Sequence, residues 1–261
     1  LIDPITSVWT SGREMGTRLL EDFARLQNQM LYQGLDYYII DPELFAEGDG
    51  VSERGSVEYR IHGERYEMVV LPPMRNLERD AGGKLLEFAR KGGKICGLYS
   101  IPFEDIQEGS EVRAFGEIFG TDGEALWSAY CQGKKLVTKE TGSCCLAGSI
   151  EEAIGWMTTK VNMNWEINAV DGLGREGLPI VSGTGEDGAE RLFVVNTSGN
   201  ARRLEVRDPH GRSWKLALEA YESRRLECGC CLEAPHKCLT MKVEGDMEFE
   251  LEGPNAIRLG F

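Results

Sequence analysis

The sequence predicts an α/β domain with a doubly wound parallel sheet over residues 1–165, followed by an all-β sandwich domain over residues 166–261. Three observations predict it. Strand and helix signals alternate through the first part, and beyond residue 165 they give way to short β runs separated by turn residues. The length of 261 residues, 41% of them hydrophobic and 28% charged, is enough for two modest cores.

Taken in order, residues 1–9 read as a buried strand and its exit. Chains rarely begin inside a core strand, so an upstream leader or domain is expected to have been removed. Residues 13–31 place Met15, Leu19, Phe23, Leu26 and Met30 at steps of three and four, one apolar helix face. Gly34 stops that helix, Asp36-Tyr37-Tyr38-Ile39-Ile40 reads as a strand, and Asp41-Pro42-Glu43 turns the chain. After a Gly-rich polar stretch over 47–55 come strands at 57–62 and 66–71, the second nearly continuously apolar and so covered on both faces.

Pro72-Pro73 ends that strand, and a helix over about 76–90 buries Leu77, Leu85, Phe88 and Ala89. Gly92-Gly93 supplies a left-handed stop before the strand Lys94-Ile95-Cys96-Gly97-Leu98-Tyr99. Strand, helix and strand in such succession imply parallel pairing with right-handed crossovers. Two short helices follow at 110–119 and 122–131, then edge-strand material at 135–139 and 143–146. Ser149 caps a helix that carries Glu152 at its third position and runs to about Lys160.

In the second part, β runs at 178–182, 191–196, 203–207, 213–218 and 223–227 are joined by hairpin-like connections at 183–188, 197–200 and 208–211. Met247-Glu248-Phe249-Glu250-Leu251 alternates cleanly, and the stop after Gly260-Phe261 without a polar tail again suggests excision from a longer chain.

A net charge of −14, from 43 acidic and 29 basic residues, sets the surface against phosphate backbones and anionic lipid. Nucleic acid is excluded as a partner, and neutral sugars stay open. No run reaches the roughly 18 apolar residues of a membrane span, and the start lacks a signal peptide, so no membrane partner is expected and the reading is cytoplasmic. Eight cysteines in a chain of this length read as reduced and buried, and Asn196-Thr197-Ser198 reads as a chance glycosylation match.

The run Ile5-Thr6-Ser7-Val8-Trp9, the helix and strand after it, Val70-Leu71-Pro72 and Phe88-Ala89-Arg90-Lys91-Gly92-Gly93 together resemble a known arrangement. It is similar to the glutamine-amidotransferase-like domain that follows the catalytic barrel in large glycoside hydrolases, the β-galactosidase trimerisation domain and its rhamnosidase counterpart. Leu192-Phe193-Val194-Val195-Asn196, Leu204-Glu205-Val206 and Gly253-Pro254-Asn255-Ala256-Ile257-Arg258-Leu259 resemble the β-sandwich that continues those enzymes. The resemblance implies a flavodoxin- or amidotransferase-like fold in a non-catalytic accessory region of a larger hydrolase. Its partners would be a missing N-terminal catalytic domain and, through that domain, carbohydrate. A stand-alone amidotransferase-like enzyme or small-molecule binder is the alternative, and an assembly module forming a homo-oligomer a third reading.

Active class I amidotransferases need a Cys on a tight strand-to-helix turn, with a His base and a Glu that orients it. Cys96 lies within its strand rather than after it. His62, His210 and His236 are the candidate bases. Only His62-Gly63-Glu64 has the His-x-Glu spacing, and it precedes the strand. Cys228-Gly229-Cys230-Cys231 with His236 and Cys238 offers soft zinc ligands at a spacing too tight for a standard knuckle, and is read as a Cys-rich turn.

Gly172-Leu173-Gly174-Arg175-Glu176-Gly177 has the letters of a dinucleotide fingerprint, but a β signal follows where a helix is required, so it is read as a turn. Glycosidic cleavage needs a carboxylate pair, and acids such as Asp36 and Glu43 are read as capping or solvated. No catalytic residue, cofactor or metal is assigned. The one substrate-binding candidate is Trp9, which follows the first strand toward the end of the sheet where ligands bind, while Trp127, Trp156, Trp165 and Trp214 are read as core.

Overall fold

The computed structural model describes residues 1–53, 55–106, 114–161, 163, 165–184, 190–208, 210–227, 242–244 and 248–250. The chain divides into two compact units: Leu1–Gln27 with Tyr37–Asn162, and Asn28–Asp36 with Met163–Phe261.

The first unit opens with a correction. Residues 1–9 make a single parallel bridge, Ile2 to Ile40, and then helix α1, Ile5–Thr10. Pro4 fixes the turn, and Asp3 accepts the Ile5 N–H at 3.0 Å, so the helix starts where a longer strand was expected. Helix α2, Arg13–Gln33, buries Leu19, Phe23, Leu26 and Met30, the predicted face. It ends at Gly34 with φ 73°, where the Leu35 N–H closes back onto the Met30 carbonyl. The segment 36–40, expected as a strand, pairs only at Ile40.

Helix α3, Pro42–Ala46, is capped by Asp41, which accepts the Glu43 N–H at 2.7 Å. Strands β1, Asp49–Glu53, β2, Ser56–Ile61, and β3, Glu64–Tyr66, form an antiparallel meander. The apolar run expected over 66–71 breaks at Glu67, and β4 is Met68–Leu71. Asn76–Leu77 is a two-residue strand, β5, rather than the first turn of a helix, so helix α4 spans Arg79–Arg90. Gly92 then takes φ 90°, and a Cβ at Gly93 would lie 2.5 Å from the Phe88 ring. The Phe-x-x-x-Gly-Gly ending thus combines a left-handed residue with a ring that leaves no room for a side chain.

Next come β6, Lys94–Leu98, β7, Glu104–Asp105, helices α5, Phe115–Phe119, and α6, Gly123–Cys131, and strands β8, Lys139–Thr141, and β9, Cys144–Ala147. Helix α7, Ile150–Lys160, starts at Ser149, which accepts the Glu152 N–H at 3.2 Å as predicted. Strands β4, β6 and β9 are parallel in that order, and β8 adds antiparallel to β9. The sheet is therefore mixed where a parallel one was expected. The tight turn at Gly142, φ 59°, makes β8 and β9 a hairpin, which can only run antiparallel. On the other side the Ile2 N–H donates to the Val70 carbonyl at 3.0 Å, so Ile2 lies between Ile40 and β4. Leu71, Leu85, Phe88 and Ile95 pack into one buried cluster with Phe45 and Tyr59.

The second unit holds two antiparallel three-stranded sheets. One pairs β10, Glu166–Ala169, with β13, Arg202–Arg207, and β14, Ser213–Leu218; the other pairs β11, Ile180–Thr184, with β12, Glu190–Val195, and β15, Ser223–Glu227. Ile167, Leu204 and Val206 from one sheet share a core with Ile180, Leu192 and Val194 from the other, following the period-two burial of β13. Asp36 accepts the Ser182 N–H at 3.1 Å within this unit. Strand β17, Glu248–Glu250, lies within the alternating run predicted at 247–251 and pairs antiparallel with β16, Lys242–Glu244, which was not predicted.

Candidate functional site

The carboxyl ends of Ile2, β4, β6 and β9 are where an open sheet of this kind presents a crevice, because the chain leaves Ile2 in one direction and returns on its other side. Side chains of the protein itself fill that end. Ser7, 1% exposed on α1, donates to the Asn76 Oδ1 at 2.7 Å and accepts from the backbone N–H groups of Arg75 at 3.0 Å and Asn76 at 3.1 Å. The Asn76 amide then donates to Thr10 at 2.9 Å, and Thr6 hydrogen-bonds Glu78. Arg75 grips Glu104 with two bonds, at 2.5 and 2.6 Å. Ser100, fully buried, bonds both the N–H and the carbonyl of Met74, tying the turn after β6 to the turn after β4.

The turn after β6 holds the residue that sequence reasoning missed. Tyr99 takes φ 62°, and the Ser100 N–H folds back onto the Leu98 carbonyl at 2.7 Å. A non-glycine residue held left-handed directly after a strand is the geometry in which nucleophile turns present their side chain. Here that side chain is a phenol. Its ring stacks on Tyr130 at 5.4 Å, and Tyr130 donates to Asp22 at 2.7 Å beneath the Arg18 guanidinium, 4.1 Å from the Tyr130 ring centroid. Burial, and the Asp22 charge after it, push the Tyr99 hydroxyl above its ordinary pKa and away from nucleophilic use. The signal was in the sequence: Gly97-x-Tyr99 is the first half of a Gly-x-nucleophile-x-Gly turn, with Ile101 in place of the second glycine.

Cys96 lies three residues earlier, fully buried in β6 and paired in register with Cys145 of β9. A hydrogen bond to the Cys145 sulfur and burial both hold the Cys96 thiol protonated, well above the usual cysteine range. His62 is not brought to it. His62, 65% exposed at its side chain, bonds Glu47 at 2.6 Å, and His210 lies in the second unit, where its N–H is held by Asp208. His236 and Cys228, Cys230, Cys231 and Cys238 lie outside the described residues; among the described residues no cluster of three metal-binding side chains occurs.

The glycine loop after β10 is a clamp on an arginine. Arg202, 2% exposed, donates to the Asp171 carboxylate at 2.8 Å, to the Glu176 carbonyl at 2.8 Å and to the Gly174 carbonyl. That contact holds the Asp171 carboxyl well below the usual carboxylate range. Gly172, Gly174 and Gly177 all have positive φ, so the loop's carbonyls turn inward onto the guanidinium instead of its N–H groups turning outward onto a phosphate.

Asn196 is fully buried and its amide donates to the carbonyls of Asn200 and Glu219, both at 2.7 Å, which leaves no nitrogen for a glycan. Asp36 and Glu43 are exposed. Trp156 and Trp165 are buried, whereas Trp127 and Trp214 are half-buried. Trp9 is 80% exposed on the last turn of α1.

No protein-family model matches the sequence, and no curated protein matches it either. Among solved structures, the chain is similar to parts of large glycoside hydrolases. Against the apo exo-carrageenase GH42 from Bacteroides ovatus the identity is 11% and the TM-score 0.48, over 80% of this chain and 26% of that one. Against the rhamnosidase from Novosphingobium sp. PP1Y the identity is 16% and the TM-score 0.45, over 80% of this chain and 21% of that one. The chain thus spans 26% and 21% of the lengths of these two structures. Among the described residues, no helix is long and apolar enough to cross a membrane.

Proposed function

We propose that this chain is a non-catalytic accessory region of a larger glycoside hydrolase, a doubly wound α/β domain and a β-sandwich that support a catalytic domain elsewhere. Trp9 contributes a stacking face at the rim of that enzyme's sugar site. The observation that supports this reading most directly is the turn after β6. Its strained position holds Tyr99 stacked on Tyr130, and the thiol of the strand that leads into it, Cys96, is fully buried and held protonated.

Amidotransferase chemistry needs an exposed thiolate with a base in reach, and this turn has the opposite properties. What the sheet's carboxyl end leaves open to solvent is an indole. The flat apolar face of a pyranose packs on such a ring, and orientation then comes from polar groups of the neighbouring domain.

The test is turnover by the purified chain. Incubated with glutamine and with nitrophenyl glycosides, it is expected to release neither ammonia nor nitrophenol above buffer, and Cys96→Ala is expected to change nothing. Ammonia release abolished by Cys96→Ala would establish the amidotransferase alternative instead.

A further inference from the structure

Two cysteines meet across the middle of the sheet in the first unit. Cys96 of β6 and Cys145 of β9 are register partners on adjacent parallel strands, and both are fully buried. Opposed residues of paired strands put their side chains on one face, and here the Cys96 thiol donates to the Cys145 sulfur. It is the face under α7, which packs on both strands and whose Glu152 and Lys160 act on the Cys145 charge. Cys144, one residue earlier, joins the cluster of Leu85 and Phe88 on the opposite face, and Cys131 is exposed on α6.

This placement suits a covalent bond. Neighbouring strands lie about 4.8 Å apart, inside the roughly 4.4–6.8 Å between Cα atoms that a disulfide spans. The two thiols are also unequal. The bond from Cys96 draws Cys145 below the ordinary cysteine range, against burial and the Glu140 and Glu152 carboxylates, while Cys96 is held above that range. Cys145 is therefore the thiol that ionises first, with a second thiol already in contact with its sulfur.

We propose that Cys96 and Cys145 form a redox pair, oxidised by a small disulfide such as oxidised glutathione to a bond that staples β6 to β9. The Cys145 thiolate attacks one sulfur of the small disulfide, forming a mixed disulfide and expelling one small thiolate. Cys96 then gives up its proton, attacks the Cys145 sulfur and expels the second. The two protein thiols lose two electrons, and the small disulfide gains them as two thiols.

Burial decides when the exchange takes place. Neither side chain is open to solvent in the folded chain, so a small disulfide reaches the pair while the chain folds or through a local opening. Once made, the bond is screened from reductants by the same packing. It closes a loop through residues 97–144, and a loop of that length restricts the unfolded chain strongly.

The experiment refolds the whole chain from denaturant in oxidised glutathione and, in parallel, in a reducing buffer, then blocks free thiols and maps tryptic peptides by mass spectrometry. Oxidative refolding is expected to join the peptide 95–113 to the peptide 140–160. The link should survive Cys144→Ser and vanish in Cys96→Ser and in Cys145→Ser. Linked protein should unfold at higher denaturant than the dithiol form. The reduced, folded chain placed in oxidised glutathione should gain the link at least about tenfold more slowly than Cys131 gains a glutathione.

Recovery of Cys96 and Cys145 as free thiols after refolding in excess oxidised glutathione would overturn the proposal, and so would a bond from either of them to a different cysteine. The wild-type map decides even where a serine variant does not fold, because fragmentation of the linked peptides assigns the bond to residue 145 or to residue 144.

Discussion

The turn after β6 in the first unit and the glycine loop 172–177 in the second both carry part of a functional motif, and both are filled from within. They are filled by different means. The β6 turn keeps a strained backbone and stacks its Tyr99 on Tyr130, so aromatic contact and one hydrogen bond to Asp22 close it. The glycine loop wraps Arg202, so a buried ion pair and inward carbonyls close it. In each place the spacing of residues is that of a site, and the neighbouring side chain decides whether a ligand or the protein occupies it. Chemistry-like letters therefore have to be read together with the groups that face them.

Arg202→Met leaves two carbonyls without their donor and the Asp171 carboxylate, its side chain only 7% exposed, without its counter-charge and held by the Leu173 and Arg203 N–H groups alone. Removing one member of a buried pair costs about 3–5 kcal/mol, so the second unit should unfold at much lower denaturant while the first keeps its midpoint. Tyr130→Phe removes the donor to Asp22, itself 8% exposed, and should cost the first unit about 1–3 kcal/mol. Denaturant melts followed at tryptophan in each unit check both.

Acid gives a smaller and graded effect. Because Asp171 is held ionised by Arg202 below its unfolded value, its stabilisation is complete above about pH 4 and is lost as pH falls toward the folded value. The second unit should thus lose stability over that fall, and Arg202→Met should flatten the loss. Smallest of all is the effect on thiol chemistry. Iodoacetamide should label exposed Cys131 in the native protein and reach Cys96 only on unfolding, as peptide mass spectrometry would show.

Much of the first unit was legible in the sequence, because its signals are local. The face of α2, the stops at Gly34 and Gly92 and the Ser149 cap follow from spacing and backbone preference alone. What escaped is local too, but its signal was read the other way. Residues 1–9 read as a buried strand, whereas Pro4 and Asp3 start α1 at Ile5. The direction of β8 is set by the hairpin at Gly142, between two segments read simply as edge-strand material.

The candidate site was legible only in part. Trp9 was singled out as following a first strand; it stands on the last turn of α1, 80% exposed. Tyr99 was passed over because tyrosine is not the residue type that a nucleophile turn leads one to seek. Arg202 was passed over because nothing in β13 distinguishes it from Arg203 beside it. Only burial separates the two.

The most direct test of the accessory reading is steady-state kinetics of the full-length gene product carrying Trp9→Ala, on an oligosaccharide and on a small nitrophenyl glycoside. A lost stacking contact is expected to raise KM for the oligosaccharide about tenfold with kcat kept, to leave the small substrate unchanged, and to shift stability by no more than about 0.5 kcal/mol. Unchanged kinetics on both substrates, with the variant folded, would contradict the account.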